Sequence, residues 1–442
     1  MASPLTNPNF RWLFSAQICS LVGVGLLTVG LSLAAYRIGG AEAAGQVLGL
    51  LLALKMVAYV GLAPLAESLL QGVPRKAALV TLDVGRMVLL IPMAFTTDIW
   101  QIAALSFLFF SMSAGFTPLY QSVIPDVVQD EDLYTKALSW SRVAYTLEAV
   151  LSPVIAGGLL TILDGSSLFL VAALAFSVSI ASILLAQVPK TTAADRKKPF
   201  WQRASKGLRI YVRTPRLRGL FLLNFALSLS MAWVLVNTVA YAGARLGDSE
   251  RYFPMLMAFY GLGAGFGAFS VPRLVKRLGE RRTMALGAIA FAACGAVFAV
   301  WLSPALAVLV IVWIGFGLSS SLVLTPGGLV ITRSAKAEDR AAVFAAQFSL
   351  SHAGWLFAYP LAGWLATKVS LELAMLILSG LTTWVTLIAL RVWPAQDPMA
   401  RTHAHPDLPA DHPHLKTVIT TGPNQEHTHT YYIDDLHPRW RR

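Results

Sequence analysis

The sequence predicts an all-α membrane protein of twelve transmembrane helices followed by a polar C-terminal tail. Three observations carry this. The 442 residues are 56% hydrophobic and 13% charged, whereas a soluble domain has about 25% charged residues. Apolar stretches of about 20 residues, the length that crosses a bilayer, recur twelve times before residue 392. Beyond them, in the last forty residues, lie seven of the eight histidines.

The predicted spans are approximately 12–36, 45–65, 77–97, 100–121, 137–162, 166–187, 217–242, 252–272, 283–303, 305–330, 342–366 and 371–391. The first run is about 25 residues long and shows no convincing small-residue cleavage site, so it reads as a span and not as a cleaved signal peptide. The net charge of +12 alternates with the loops. Ten basic residues lie between Lys190 and Arg218. Arg75 and Lys76 follow span two, Arg273 to Arg282 follow span eight, and Arg333, Lys336 and Arg340 follow span ten. Opposite loops hold only Arg37, Arg245, Arg251 and Lys368. The positive-inside rule then puts both termini and the central segment in the cytoplasm. Charge that follows topology, with no single basic patch, argues against nucleic-acid binding. Cys19 and Cys294 each sit alone in an apolar span and suggest neither a disulfide framework nor a thiolate site.

The chain divides into an N-terminal six-helix half (1–189), a basic linker (190–216), a C-terminal six-helix half (217–391) and a His-rich tail (392–442). A shift of 207 residues superposes Ile124 on Ile331, Glu131-Asp132 on Glu338-Asp339 and Ser152-Pro153 on Tyr359-Pro360. Such a repeat is the trace of duplication, with halves related by an axis along the membrane normal.

In the tail, His403, His405, His412, His414, His427 and His429 form three His-x-His pairs, and His437 follows. Imidazole is a ligand for nickel, zinc, copper and iron at neutral pH, and residues two apart on an extended chain share a side. The tail is therefore a candidate divalent-metal binder. Most of 392–415 is expected to be flexible. The β-prone runs Thr417–Thr421 and Thr428–Ile433, flanking Gly422-Pro423-Asn424, predict a hairpin with His427, His429 and Tyr431 on one face.

Twelve helices, a basic mid-chain loop and a two-fold repeat resemble the major facilitator superfamily over residues 10 to about 391. Phe116-Thr117-Pro118, Ile124-Pro125-Asp126 and Glu131-Asp132-Leu133 with Ala137 resemble the loop after helix four in the drug–proton antiporter branch of macrolide and enterobactin exporters. Ser152-Pro153-Val154-Ile155-Ala156-Gly157 is similar to that branch's GxxxGPxxGG motif, with Glu148 at the first glycine. The loop after span two departs from the family's G-x-L-A-D-R-x-G-R-K: Glu67 and Ser68 stand where Asp and Arg are usual, and Pro74-Arg75-Lys76 follows extra residues. The resemblance implies the major facilitator fold and secondary transport with no required cofactor. Bacterial nickel-resistance exporters of this branch also carry His-rich C-termini, which makes metal export the favoured substrate reading.

An ionisable group inside a membrane costs at least ~2.5–3.5 kcal/mol, so it has a partner or a task. Glu148 is the candidate proton carrier or cation ligand, or else the ion-pair partner of Lys55 or Arg142. His352 is a candidate proton carrier or metal ligand, or a hydrogen-bonded packing residue. Lys55 tunes either site or neutralises Glu148. Asp83 and Arg86, three apart on one face, read as a structural ion pair. Arg142, near a helix start, is expected to face the interface. Asn224, Asn237 and Gln347 are candidate cavity residues. No phosphate-binding loop and no enzyme constellation is present, so the energy source is an ion gradient. The expectation is a monomeric, multi-pass protein of the bacterial inner membrane that exchanges protons for a divalent metal. An exporter of drugs or siderophores, and a metal-reading membrane sensor, are the rivals.

Overall fold

A computed structural model describes residues 3–189, 199–300, 305–405, 409, 414, 420–421 and 426–440. Each predicted span is built on a helix. Helix α1 (Pro8–Leu70) carries the first two. It starts where the Asn7 side chain accepts from the amides of Asn9 and Phe10 at 2.9 and 3.2 Å, with Pro8 in the first turn, where its missing N–H is harmless. Then follow α2 (Arg75–Met93), α3 (Ile99–Val127), α4 (Glu131–Leu159) and α5 (Ser167–Leu185). Two short helices, α6 (Phe200–Ala204) and α7 (Lys206–Arg213), belong to the linker. The second half comprises α8 (Pro215–Leu246), α9 (Ser249–Val300), α10 (Leu306–Leu324), α11 (Gly327–Thr332), α12 (Arg340–Lys368) and α13 (Leu371–Val392).

Among the described residues, eight segments are long and apolar enough to cross a membrane on that ground alone. Helices α2, α4 and α12 do not reach that standard, and they carry Asp83, Arg86, Arg142, Glu148 and His352. Helix α9 holds two spans because Gly279, at φ 75° and ψ 166°, breaks it; only glycine adopts that conformation cheaply. Helices α9 and α10 approach until backbones touch. A Cβ at Gly317 would overlap the Tyr260 carbonyl, and one at Gly263 the Ile314 carbonyl. This is the small-residue packing that drives helix association in lipid, where burial of apolar surface contributes little.

The described tail is a three-stranded antiparallel sheet in the order β1 (Ala400–His403), β3 (Glu426–Thr430), β2 (Thr420–Thr421). The predicted hairpin is present as the β2–β3 pair, with Thr420 opposite His427; 417–419 and 422–425 lie outside the described residues. The expectation of flexibility over 392–415 is corrected at Ala400–His403. This segment finds a partner distant in sequence, His403 opposite His427 and Thr402 opposite Thr428, so no local signal marked it. Period two sends the threonines outward, Oγ1 to Oγ1 at 2.7 Å, and buries His403 and His427. Tyr431 and Ile433 join the apolar core of the second half beside Trp393, which seats the sheet on the face that carries both termini.

Candidate transport cavity, gate and histidine cluster

A cavity of about 690 Å³ lies between the halves, lined from α1–α4 on one side and from α8 and α10–α12 on the other. Helix α4 contributes Ser141, Arg142, Tyr145, Glu148 and Ser152, whose spacings of one, three, three and four residues place them on one stripe. Glu148 is half-buried there, close against Gly25 of α1: a Cβ on that glycine would sit 3.1 Å from its Oε1. Lys55 also lines the cavity, its Nζ 5.6 Å from the Tyr59 ring centre and 5.5 Å from that of Phe110. The aromatic faces favour the cation where water is scarce. His352 sits edge-on to Tyr59 and tilted against Phe348, with ring centres at 4.8 and 4.2 Å. Its Nδ1 lies 2.7 Å from the Phe348 carbonyl. A carbonyl only accepts, so Nδ1 is the donor and Nε2 is left able to take a proton.

Arg86 reaches the cavity edge but is held by its own ion pair with Asp83. Ser20 accepts from it at 3.2 Å, Ser179 donates to Asp83 at 2.7 Å, and the guanidinium lies 3.9 Å from the Phe116 ring centre. Arg142 lines the cavity and lies close to Tyr260 of α9; the expectation that it faces the interface is corrected. With Arg86 paired to Asp83, the lining holds two further basic side chains, Lys55 and Arg142, against one carboxylate, Glu148.

Asn224 and Gln347 line the cavity. The Asn224 amide donates to the Leu220 carbonyl of its own helix at 2.8 Å, and Gln347 accepts from Tyr211 of the linker. Asn237 is not among the lining residues. It is buried and donates to the Ala362 carbonyl at 3.2 Å, tying α8 to α12. Both placements look alike in sequence, since each is an amide in an apolar helix.

Ion pairs bridge the two halves on the terminal face. Asp126 at the end of α3 receives Arg75 at 2.5 Å and, from the other half, Arg340 at 2.6 Å. Lys276 reaches Asp132 at 3.1 Å, and Arg333 pairs with both Glu131 and Glu280.

On the same face the tail gathers six imidazoles. His403, His405, His414 and His437 have donor atoms within 4.8 Å of one another, and so do His403, His414, His427 and His429. The His437 Nε2 lies 2.9 Å from that of His403 and 3.1 Å from that of His405; those of His414 and His427 are 3.1 Å apart. Three of the outer nitrogens have acceptors. His403 Nδ1 donates to the Arg401 carbonyl at 3.1 Å, His429 Nδ1 to the Thr430 carbonyl at 2.7 Å, and His437 Nδ1 to Asp434 at 2.7 Å. The buried His429 Nε2 has no hydrogen-bond partner. Burial and the neighbouring imidazoles push His403 and His414 down to about 4, and His429 in the same direction. These three imidazoles are therefore neutral near pH 7, which is the form that binds metal. Burial pushes Asp434 upwards, but its contacts with His437 and Lys336 outweigh this and hold it below the usual carboxylate range. His412 lies outside the described residues.

The family model for the Major Facilitator Superfamily matches residues 13–247 and again 220–421. The chain belongs to the Major Facilitator Superfamily. No curated protein sequence matches it. Among solved structures it is similar to the human organic anion transporter MFSD10 (TETRAN), at TM-score 0.75 and 14% identity over 86% of this chain and 99% of that one. It is also similar to a variant of the E. coli fucose:proton symporter FucP, at TM-score 0.68 and 14% identity over 86% and 98%. At that identity these likenesses concern the fold. As a member of the superfamily, the chain is a multi-pass membrane transporter, of a family that comprises secondary transporters and not enzymes.

Within this superfamily transporter, Lys55, Glu148 and His352 share one cavity and Asp83 pairs with Arg86. Sequence reasoning missed Tyr59, Tyr145 and Gln17 of the lining. The stripe through Arg142, Tyr145 and Glu148 was the available signal.

Proposed function

We propose that the chain exports a divalent transition metal, nickel first, in exchange for protons. The observation that carries this reading is the convergence of six imidazoles on the terminal face. In this reading the protein lies in a bacterial inner membrane as a monomer, with both termini cytoplasmic, in the antiporter branch of drug exporters. Residues 1–189 and 217–391 rock about the central cavity, and 190–216 link them. Glu148 carries the proton, Lys55 sets its charge balance, and His352 is a second carrier or a ligand. The tail, 392–442, gathers ions at the mouth.

The excess of Lys55 and Arg142 over Glu148 favours a second reading, an organic anion as cargo. In the first reading, the same excess means that metal crosses accompanied by ligands and not as a bare dication. Purified protein in vesicles, loaded in parallel with radioactive nickel and with labelled organic anions, separates the two. Nickel flux that requires the protein supports export of metal. Flux of anions alone assigns the second reading.

A further inference from the structure

The tail cluster does more than collect ions: its geometry specifies a coordination number, and its outer contacts lead to the gate. Both parts rest on the metal reading of the tail and go beyond it.

Consider His403 and His437. Each Nδ1 carries a hydrogen, because each faces an acceptor, the Arg401 carbonyl and the Asp434 carboxylate. In a neutral ring the Nε2 is then a lone pair. The two Nε2 atoms stand 2.9 Å apart, and His405 brings a third ring nitrogen within 3.1 Å of the second. Ring nitrogens this close are held together by a proton or by a metal ion shared between them. A metal about 2.1 Å from imidazole nitrogen puts neighbouring donors about 3.0 Å apart in an octahedron and about 3.4 Å apart in a tetrahedron. The three observed separations, 2.9, 3.1 and 3.1 Å, match the octahedron. Zinc prefers four ligands; a divalent ion at home with six nitrogens, such as nickel, suits the set better.

The outer contacts matter equally. Asp434 accepts from His437 Nδ1 and is paired with Lys336 at 2.9 Å. Lys336 lies between Arg333 and Arg340, the two residues that reach across to Glu131 and Asp126 of the other half. A second strut runs beside it. Asp397 of the tail holds Arg216 at 3.0 Å, Arg216 donates to the Arg333 carbonyl at 3.2 Å, and Trp440 covers the guanidinium at 5.1 Å. Orienting partners of metal-bound histidine fix the ring as the metal fixes them.

We infer that His403, His405, His414, His427, His429 and His437 form one six-coordinate divalent-metal site, and that metal bound there, through the positioning residue Asp434, pins segment 333–340 and steadies the closed terminal face. The transporter thereby senses the ion with a site separate from its central cavity. Linkage is reciprocal, so a closed gate tightens the site by the same factor.

The test uses the full chain in detergent with nickel(II) alone, and with zinc(II) for comparison. X-ray absorption should show a six-nitrogen imidazole shell for nickel; a four-ligand nickel shell overturns the coordination. A chain bearing His403→Ala, His427→Ala and His437→Ala should lose saturable nickel binding; retention overturns the assignment. Hydrogen exchange over 333–340 should slow when nickel binds the wild type. In Asp434→Asn, nickel affinity should fall about 10–100-fold, and saturating nickel should no longer slow exchange in that segment. Equal exchange with and without bound nickel in the wild type overturns the coupling. None of these measurements involves transport, so they can fail while export stands, and export can fail while they stand.

Discussion

Arg340, at the start of α12, reaches across the midline to Asp126 at the end of α3, with Nη1 and Oδ1 2.6 Å apart. The two residues belong to different halves, and Arg75 shares the same carboxylate from its own half. Opening the terminal face must break the Arg340 contact while leaving Arg75 free to keep Asp126.

An Asp126→Asn change should therefore weaken closure. Hydrogen bonds to charged groups contribute about 1.5–3 kcal/mol, enough to shift the open fraction about tenfold or more. Spin labels at the exposed positions Gln129 and Glu338, with Cys19 and Cys294 replaced by serine, read the separation of the halves. A longer distance population should grow in the variant. An unchanged distribution would show that Asp126 does not hold the gate.

Glu148→Gln keeps the side chain's size and removes its charge at the cavity wall. Proton-coupled flux should be lost at every pH while the yield and melting temperature stay near wild type. Glu148 makes no ion pair within 4.0 Å among the described residues, so stability should not depend on its charge through a direct partner. Wild-type rates would remove it from coupling, and an unfolded variant would make it structural.

The metal-free tail should loosen in acid. His403 and His414 sit at about 4 in the folded tail, below the reference value of about 6.5. The unfolded tail therefore binds more protons between those values. The stabilisation is complete above about pH 6.5 and is lost as pH falls towards 4. Amide exchange over 426–433, corrected for intrinsic rate, should be better protected at pH 7.5 than at pH 5. Better protection at pH 5 would reverse the sign and refute neutral burial.

Much of this was legible in sequence because the signals are one-dimensional. Among the described residues each apolar run falls on a helix, and the Gly279 break between spans eight and nine falls in the basic loop between Arg273 and Arg282. Asp83 and Arg86 could be read together because they are three apart on one helix. Strand β1 could not be read, because its partner lies 24–30 residues away, between Ala400–His403 and His427–Thr430. The Arg340–Asp126 pair spans 214 residues and obeys no local period. Arg142 was misplaced for the opposite reason: nearness to a helix start suggested an interface, while its stripe with Tyr145 and Glu148 pointed into the cavity.

The central claim is that metal and protons exchange across the membrane through one protein. The most direct measurement follows both in the same sealed vesicles, radioactive nickel for the cargo and a trapped pH dye for the proton. Nickel added on the terminal face should enter while protons leave, in fixed ratio, and Glu148→Gln should abolish the proton signal. Nickel that does not cross, in vesicles whose protein moves organic anions, would contradict the account.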